Sequence, residues 1–413
     1  MTILYDTPIE GHDGPDFRPL RQRVEAEAYV ASVCFKHGPP RLFGVELEWT
    51  VHHVGDPLRP LTAEHLAKAL GPHTPRTLRQ DSPHLPLSGG SPLSLEPGGQ
   101  VEISALPKDS LTDLYATVTA DSVQLRDMLA AQGLTFGTTA IDPYRTPQRI
   151  LDTPRYAAME KAFEPIGTHG ITMMCNTAGF QLCVDVGERS DVAARWAAVH
   201  SLGPPMVALF ANSPRRLGEV TGWASNRARA VMGTDPTRTY PSKVNDDPAG
   251  TWARRVLDTP LLCVRRAGRR WEAPRGVTFA DWIGGALDRT PTVDDLEYHI
   301  STLFPPVRAQ GYLEVRYIDA QPGDRWLTPA ALLVALMSTP ARVDAVIDAC
   351  APVAHRWMTA ARHGMANQDI ARVVDHVVAI GLDALDATGL PPDLARTVTS
   401  DIERRLHDGR TRG

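Results

Sequence analysis

Four short segments of the chain alternate apolar and polar residues, which is the period of a β-strand with one buried face. In one-letter code they read VELEWTVH at 45–52, QVEIS at 100–104, FQLCVDV at 180–186 and LEVRY at 313–317. If the four strands share a sheet, one face is apolar and the other carries acids, an amide and an arginine. The polar positions are Glu46, Glu48, Glu102, Gln181, Asp185, Glu314 and Arg316.

Such an acidic face requires positive charge. Residues two apart on a strand lie about 6.6 Å apart, and like charges at that distance repel by about 2.5 kcal/mol at an effective dielectric constant of 20. Each strand taken alone also fits an ordinary antiparallel strand with one solvated face, but four together favour a cation site. Because the polar set offers oxygen ligands and no paired histidines, Mg²⁺ or Mn²⁺ suits it better than zinc.

Helical periodicity and capping residues predict most of the remaining elements. Helices are expected at 17–35, with Leu20, Val24, Ala28 and Ala31 on its apolar side, and at 62–70, 110–132, 153–163 and 190–201. We expect a long surface loop at 72–97, rich in Pro, Ser and Gly, and loops at the rim of the cleft at 214–240. Thr168 and His169 are also assigned to a loop, and His52 and His53 to the rim.

The chain from 329 to 406 shows helical spacing and no strand pattern. The predicted fold class is therefore α+β, a curved antiparallel sheet backed by helices. We expect an N-terminal helical extension at 1–38, a catalytic core at 39–327 and a helical C-terminal section at 328–413 packed on the core. A separate C-terminal helical domain is the alternative.

Composition narrows the function classes. The chain has 413 residues and a formal net charge of -5, and this acidity argues against a nucleic-acid partner. No apolar run approaches the roughly 20 residues that span a bilayer, and the polar start of the chain lacks a signal-peptide pattern, so we expect a cytoplasmic protein without a membrane partner. Five cysteines without C-x-x-C spacing indicate neither a disulfide framework nor a zinc knuckle.

Several motifs, taken in order, resemble a known family. Residues 43–48 (FGVELE) and 94–104 (SLEPGGQVEIS) look like the metal-binding segments of glutamate–cysteine ligases of the plant and bacterial type. The same order continues along the chain to about residue 325. It includes Arg155-Tyr156 with Met159, Met173-Met174, residues 181–185 (QLCVD), 211–214 (ANSP), 304–308 (FPPVR) and 312–316 (YLEVR). The chain is most similar to the actinobacterial enzymes of this family, which make γ-glutamylcysteine for ergothioneine.

The resemblance implies a glutamine-synthetase-like fold that binds ATP and Mg²⁺, with Mn²⁺ as a possible substitute, and that joins L-glutamate to L-cysteine through γ-glutamyl phosphate. The metal ligands implied by position are Glu46, Glu48, Glu96, Glu102, Gln181 and Glu314. Arg316 and Glu314 are the implied catalytic residues, and Arg316 and Arg238 the implied contacts to the nucleotide. The implied substrate contacts are Arg227, assigned to the α-carboxylate of glutamate, with Trp223, Arg155, Tyr156 and Gln181.

The chain departs from the family's pattern in two ways, and the sequence leaves three alternative functions open. Cys183 stands where plant relatives have an asparagine, and no G-x-x-x-x-G-K-[ST] or G-x-G-x-x-G motif occurs, so nucleotide binding would depend on metals and arginines. The rivals are a ligase with another amine acceptor, a phosphotransferase acting on a guanidino substrate, and a catalytically silent metal-binding regulator. A monomer is slightly favoured, although the sequence does not determine the oligomeric state.

Overall fold

The computed structural model describes residues 16–267 and 270–411, and within these ranges six strands form one antiparallel sheet. In all, the described residues contain ten strands. They are β1 Phe43–Trp49, β2 Val51–His53, β3 Leu93–Leu95, β4 Val101–Ser104, β5 Leu134–Phe136, β6 Gly179–Asp185, β7 Arg215–Arg216, β8 Glu219–Val220, β9 Val307–Ala309 and β10 Tyr312–Asp319. The large sheet has the order β3, β4, β1, β6, β10, β9. The pairs β2–β5 and β7–β8 form two small sheets.

Helices surround this sheet and continue to the end of the described chain. They are α1 Arg23–Cys34, α2 Ala63–Leu70, α3 Leu111–Ala130, α4 Pro154–Phe163, α5 His169–Asn176, α6 Val192–Ser201, α7 Gly203–Leu209, α8 Asn226–Met232, α9 Pro236–Thr239, α10 Pro248–Asp258, α11 Phe279–Ile283, α12 Val293–Ile300, α13 Leu327–Leu336, α14 Pro340–Cys350, α15 Trp357–His363, α16 Gln368–Asp383 and α17 Pro392–Thr411. The hydroxyls of Thr62, Ser110 and Thr153 accept backbone hydrogen bonds at the starts of α2, α3 and α4. These N-caps satisfy donors that have no partner inside the helix, and the four helices predicted between residues 62 and 201 are confirmed.

The apolar face of the large sheet packs against helices. Val45, Leu47, Leu182 and Val315 on three neighbouring strands are all buried, and α3 and α7 contact the sheet through β1, β4 and β10. The four strands predicted from alternation are confirmed as β1, β4, β6 and β10. Their polar residues therefore share the opposite face, as the strand period requires.

Three stretches assigned to loops contain regular structure. The predicted loop at 72–97 includes β3, whose three residues are too few to show a strand period among the surrounding prolines and glycines. The segment 214–240 contains the β7–β8 ribbon and the helices α8 and α9. His169 begins the helix α5, so the assignment of Thr168 and His169 to a loop was wrong for His169.

The first helix is shorter and turned differently from the prediction. It begins at Arg23, because the backbone around Leu20 pairs with Pro291 instead. Its buried residues are Ala26, Val30 and Cys34, on the side that contacts α10. Val24, which was assigned to the apolar side, is 64% exposed.

His52 and His53 are buried in β2 and do not lie at a rim. The Nε2 atom of His52 lies 3.3 Å from Oδ2 of Asp142, which also forms an ion pair with Arg145. The ring of His53 packs edge-on against His65. Both histidines therefore serve the packing of the small β2–β5 sheet.

The C-terminal helices pack on the helices that back the sheet. Helix α14 contacts α6, and α15, α16 and α17 contact α7. Arg405 in α17 donates to the side chain of Gln321 and lies over the ring of Phe210. The boundaries at residues 38 and 327 remain predictions, and part of the N-terminal extension, residues 1–15, lies outside the described residues.

Among the helices of the described ranges, no single one has both the length and the apolar character needed to cross a membrane. One bent pair, Gly323–Leu336 with Pro340–Cys350, passes by length and composition alone.

We predict that Leu182→Ala lowers the free energy of unfolding by about 2–5 kcal/mol, the usual cost of a cavity at a buried leucine. Leu182 is fully buried on the central strand β6. Urea unfolding followed by circular dichroism measures the loss, and Val24→Ala on the exposed side of α1 is the matched control. Equal stability of the two variants would contradict this description of the core.

Candidate active site

Three carboxylates meet on the polar face of the sheet at the β1–β4 pair. Glu48 and Glu102 lie directly opposite each other in the antiparallel register, and Glu96 follows the end of β3. Oxygen atoms of the three side chains lie within 4.8 Å of one another. This group, Glu48, Glu96 and Glu102, is called the first carboxylate cluster below.

A tight turn places Glu96 in this cluster. The N–H of Gly99 donates to the carbonyl of Glu96 at 2.8 Å, which closes a four-residue turn between β3 and β4. Gly99 has φ +85°, and a Cβ at Gly98 would lie 2.0 Å from the carbonyl oxygen of Cys175. The glycine pair therefore meets two backbone requirements, and residues 96–99 form a hairpin turn.

The buried position of the cluster makes its negative charge costly. Burial, with repulsion from Glu102 and Glu48, raises the pKa of Glu96 well above its usual value. Burial and repulsion from Glu48 raise the pKa of Glu102 to about 7. Ser94 and Ser104 donate to Oε1 of Glu102, while its Oε2 has no hydrogen-bond partner among the described residues. A cation would satisfy that oxygen and relieve the repulsion.

A second cluster lies beside the first on the same face. Glu46, Cys183 and Glu314 offer ligand atoms within 4.8 Å of one another. The register explains the meeting, because Cys183 pairs with Glu314 across β6 and β10, while Glu46 lies on the adjacent strand β1. Cys183 therefore occupies a potential ligand position on the polar face of the sheet.

Glu314 has a different electrostatic environment from Glu102. Arg308 binds both of its carboxylate oxygens, at 2.6 and 3.1 Å, and Nη1 of Arg316 lies 3.1 Å from Oε2. Burial alone would raise the pKa of Glu314, but the charges of Arg308 and Arg316 hold that pKa well below the usual range. Glu314 thus remains ionised and fixes Arg316 in place.

Gln181 connects the first carboxylate cluster to Arg316. Its Nε2 donates to Oε1 of Glu48 at 2.9 Å, and its Oε1 accepts from Nη1 of Arg316. The backbone N–H of Gly179 donates to Oε2 of Glu48 at 2.6 Å. Glu48, Gln181 and Arg316 therefore form one hydrogen-bonded row across three strands.

A cavity of about 620 Å³ opens above this row. Glu48, Glu96, Arg316 and Arg227 line it together with Arg155 and Tyr156. Arg155 donates to the hydroxyl and the carbonyl oxygen of Ser301, at 3.1 and 3.0 Å, and its guanidinium carbon lies 5.0 Å from the centroid of the Tyr298 ring. The lining of the cavity thus combines acids with arginines.

Three residues assigned to the polar site lie elsewhere. Arg238 is 1% exposed and binds Asp235 and the carbonyl oxygens of Thr302 and Pro260, so it links α9 to neighbouring segments and does not lie at the mouth of the cavity. Trp223 lies outside the cavity, with Arg229 and Arg362 over its ring. Asp185 accepts the backbone N–H groups of Arg41 and Leu42 at the end of β6, which uses its charge at the entry to β1.

Arg308 and Ser94 were missed as site residues. Arg308 lies in the three-residue strand β9 after two prolines, where no alternation could be recognised, although its FPPVR segment had been noted. Ser94 pairs with Glu102 across β3 and β4. Neither contact follows from spacing along the chain, because both depend on edge strands too short to show a period.

The donor set fits a hard divalent cation. Mg²⁺ and Mn²⁺ prefer carboxylate oxygens, and the first carboxylate cluster supplies three of them, with an oxygen of Glu102 left without a partner. The second cluster adds two further carboxylates and a thiol.

Comparison with known proteins gives consistent matches. The family described as glutamate–cysteine ligase family 2 (GCS2) matches residues 42–412. The chain is 36% identical over 377 residues to the glutamate–cysteine ligase EgtA of Mycobacterium tuberculosis H37Rv, which covers 89% of this chain and 84% of that protein. It is 30% identical over 413 residues to a chloroplastic glutamate–cysteine ligase of Medicago truncatula, covering 92% and 80% of the two chains.

A solved structure shows the fold. The glutamate–cysteine ligase of Francisella tularensis, in complex with AMP, aligns with a TM-score of 0.53 at 11% identity, over 90% of this chain and 83% of that one. The predicted glutamine-synthetase-like fold, an antiparallel sheet backed by helices, is therefore confirmed.

We predict that the protein without divalent ions loses stability as the pH rises from about 4.5 to about 7. The folded protein keeps a proton on Glu102 up to about pH 7, whereas the unfolded chain releases it near 4.5, so unfolding becomes more favourable across this window. A bound Mg²⁺ ion would replace the proton, and it should raise the Tm more at pH 8 than at pH 5. Thermal unfolding with EDTA or Mg²⁺ measures this.

Glu102→Gln is the control for this titration, because the amide cannot release a proton. The variant should lose the part of the pH dependence that Glu102 contributes, while Glu96 continues to titrate, and it should lose most of the Mg²⁺ effect. The same Tm increase from Mg²⁺ at both pH values in the original protein would contradict the assignment of a cation to this cluster.

Proposed function

The chain belongs to glutamate–cysteine ligase family 2, and from this premise we propose that it joins the γ-carboxyl of L-glutamate to the amine of L-cysteine at the expense of ATP. The observation that carries the proposal is the row formed by Glu48, Gln181 and Arg316, whose two charged members line the cavity of about 620 Å³. It places a carboxylate group suited to a metal beside an arginine suited to a phosphoryl group. The relatives named EgtA support ergothioneine biosynthesis as the pathway that uses the product.

The reaction explains why both charge signs are needed. The γ-carboxylate of glutamate is a poor electrophile, so its oxygen first takes the γ-phosphoryl group of ATP and ADP leaves. The amine of cysteine then attacks the carbonyl carbon of this acyl phosphate, the amine loses a proton and phosphate leaves. Bound Mg²⁺ would supply positive charge at the phosphoryl oxygens.

The chain's own groups position the reactants. Arg316 is held by Glu314 and Gln181, so its planar donors are fixed before a phosphoryl group arrives. Arg227 is the proposed ligand of the α-carboxylate of glutamate, since it lines the cavity and offers a positive charge there. Arg155 and Tyr156, which also line the cavity, are proposed contacts to the second amino acid.

Glu48, Glu96 and Glu102 are proposed to hold one Mg²⁺ ion. Glu46 and Glu314 would hold a second, with Cys183 at the adjacent position. Gln181, bound to both Glu48 and Arg316, is proposed to orient them and is the weaker ligand because its Oε1 already accepts from Arg316. Arg238 and Trp223 are assigned to neither the nucleotide nor the substrate, because neither residue lines the cavity.

We expect release of ADP to require glutamate, cysteine and a divalent ion together, with γ-glutamylcysteine as the product identified by mass spectrometry. Supplying ATP and glutamate with a mixture of the twenty amino acids identifies the acceptor directly. Preferred turnover of serine, 2-aminobutyrate or another amine would replace cysteine in the proposal. Formation of phosphoarginine or phosphocreatine, or Mg²⁺-dependent stabilisation without any turnover, would contradict a ligase.

Two variants connect this activity to the site. Glu48→Gln and Arg316→Lys should each lower kcat by about 100-fold or more, the usual effect of removing one preorganised charge-stabilising group. Glu64→Gln and Arg396→Lys, on exposed positions of α2 and α17, are the matched controls. Normal rates for either site variant would remove that residue from the mechanism.

A further inference from the structure

A buried carboxylate outside the cavity is connected by hydrogen bonds to the helix that carries Arg227, an arginine that lines the cavity. Asp319, the last residue of β10, is 3% exposed. Its Oδ2 accepts from the backbone N–H of Asn212 and the hydroxyl of Ser213, and its Oδ1 accepts from the hydroxyl of Ser225, all at 2.8 Å. Asn212 and Ser213 belong to the ANSP segment, for which the sequence motifs predicted no chemical role. The two serines are fully buried, so the contacts persist without competition from water.

The same two serines hold the start of helix α8. The hydroxyl of Ser225 accepts from the N–H of Ala228 at 3.0 Å, as an N-cap does. The hydroxyl of Ser213 accepts from the N–H of Arg227 at 3.2 Å. Each hydroxyl thus donates to Asp319 and accepts from the first turn of α8. The carboxylate thereby fixes where this helix begins and which way its first side chains point.

Arg227, in that first turn, reaches the cavity through a close-fitting path. Its Nη2 donates to the carbonyl of Arg316 at 2.9 Å. A Cβ at position 179 would lie 2.4 Å from Nη2, so the guanidinium passes close to the backbone of β6 at this glycine. Burial lowers the pKa of Arg227, and the charges of Asp319 and Glu48 oppose that effect. A small rotation of α8 would therefore move the guanidinium out of a narrow space.

We propose that Asp319, acting through Ser213 and Ser225, is the positioning residue that orients Arg227 for the α-carboxylate of glutamate. The inference rests on the proposed function, because it assigns a specificity role to a group that the substrate never touches. It predicts that replacing Asp319 changes the KM for glutamate and leaves the KM for ATP unchanged. The carboxylate of Asp319 bonds Asn212, Ser213 and Ser225, and none of these is among the residues proposed to hold the nucleotide or the metal ions.

The test is the steady-state kinetics of Asp319→Asn, which keeps the size of the side chain and removes its charge. We expect the KM for glutamate to rise about tenfold, the effect of losing one charge-assisted hydrogen bond. The KM for ATP and the kcat at saturating glutamate should stay near those of the original protein. The increase in Tm produced by added glutamate should shrink in parallel, which gives a binding readout independent of turnover.

Asp121→Asn is the matched control. Asp121 is also fully buried and accepts the backbone N–H groups of Gly89 and Ser91, at 2.5 and 3.3 Å, but none of these residues lines the cavity. This variant should lose stability without a change in the KM for glutamate. An equal rise in that KM for both variants would show a general loss of structure and would overturn the proposal.

A double-variant cycle with Arg227→Lys decides whether Asp319 acts through Arg227. If it does, adding Asp319→Asn to Arg227→Lys raises the KM for glutamate little further, because coupled residues are not additive. Multiplicative effects would overturn the inference. Should Asp319→Asn fail to fold, Ser213→Ala, which keeps the carboxylate, replaces it in the cycle with the same expected pattern.

The same measurements distinguish a failure of the proposed function from a failure of the positioning role of Asp319. If the original protein makes no γ-glutamylcysteine, the proposed function fails. If it makes this product and Arg227→Lys raises the KM for glutamate while Asp319→Asn and Ser213→Ala do not, only the positioning role of Asp319 fails. If Arg227→Lys leaves that KM unchanged, Arg227 does not bind glutamate and the inference falls with that assignment.

Discussion

Repulsion among three carboxylates that share one buried space is the constraint on which the rest of the site depends. Glu48 and Glu102 lie opposite each other in the sheet, and the turn after β3 adds Glu96 to the pair. A proton or a cation must neutralise this group, since charge in a poorly solvated site is costly. The hydrophobic face beneath the sheet fixes the strand register, and the register holds the acids together.

Two buried glutamates on the same face illustrate how surroundings determine the charge of a side chain. Glu102 faces other acids, and its pKa is raised to about 7. Glu314 lies between Arg308 and Arg316, and its pKa is held low. The first would exchange its proton for the proposed metal ion, whereas the second stays charged and holds Arg316 in place. This division matches a reaction in which a metal and an arginine act on the same phosphoryl group.

Much of this arrangement could be predicted from the sequence, for a physical reason. Strand alternation is a local signal, so the sequence alone is enough to place Glu46, Glu48, Glu102 and Glu314 on one face of a sheet. Contacts made through short edge strands or between distant segments leave no local signal. The bond from Arg308 to Glu314 depends on a three-residue strand, and the burial of Arg238 depends on carbonyl groups more than 20 residues away. Asp319 also contacts Ser213 and Ser225, each roughly 100 residues before it in the chain, and these contacts leave no local signal either.

The most direct test of the central claim is anomalous diffraction from crystals grown with Mn²⁺ and a non-hydrolysable ATP analogue. The account predicts an anomalous peak in ligand contact with the carboxylates of Glu48, Glu96 and Glu102, with the phosphoryl oxygens of the analogue on its other side. Manganese bound elsewhere on the protein, with these three carboxylates contacting no ion and no nucleotide nearby, would contradict it.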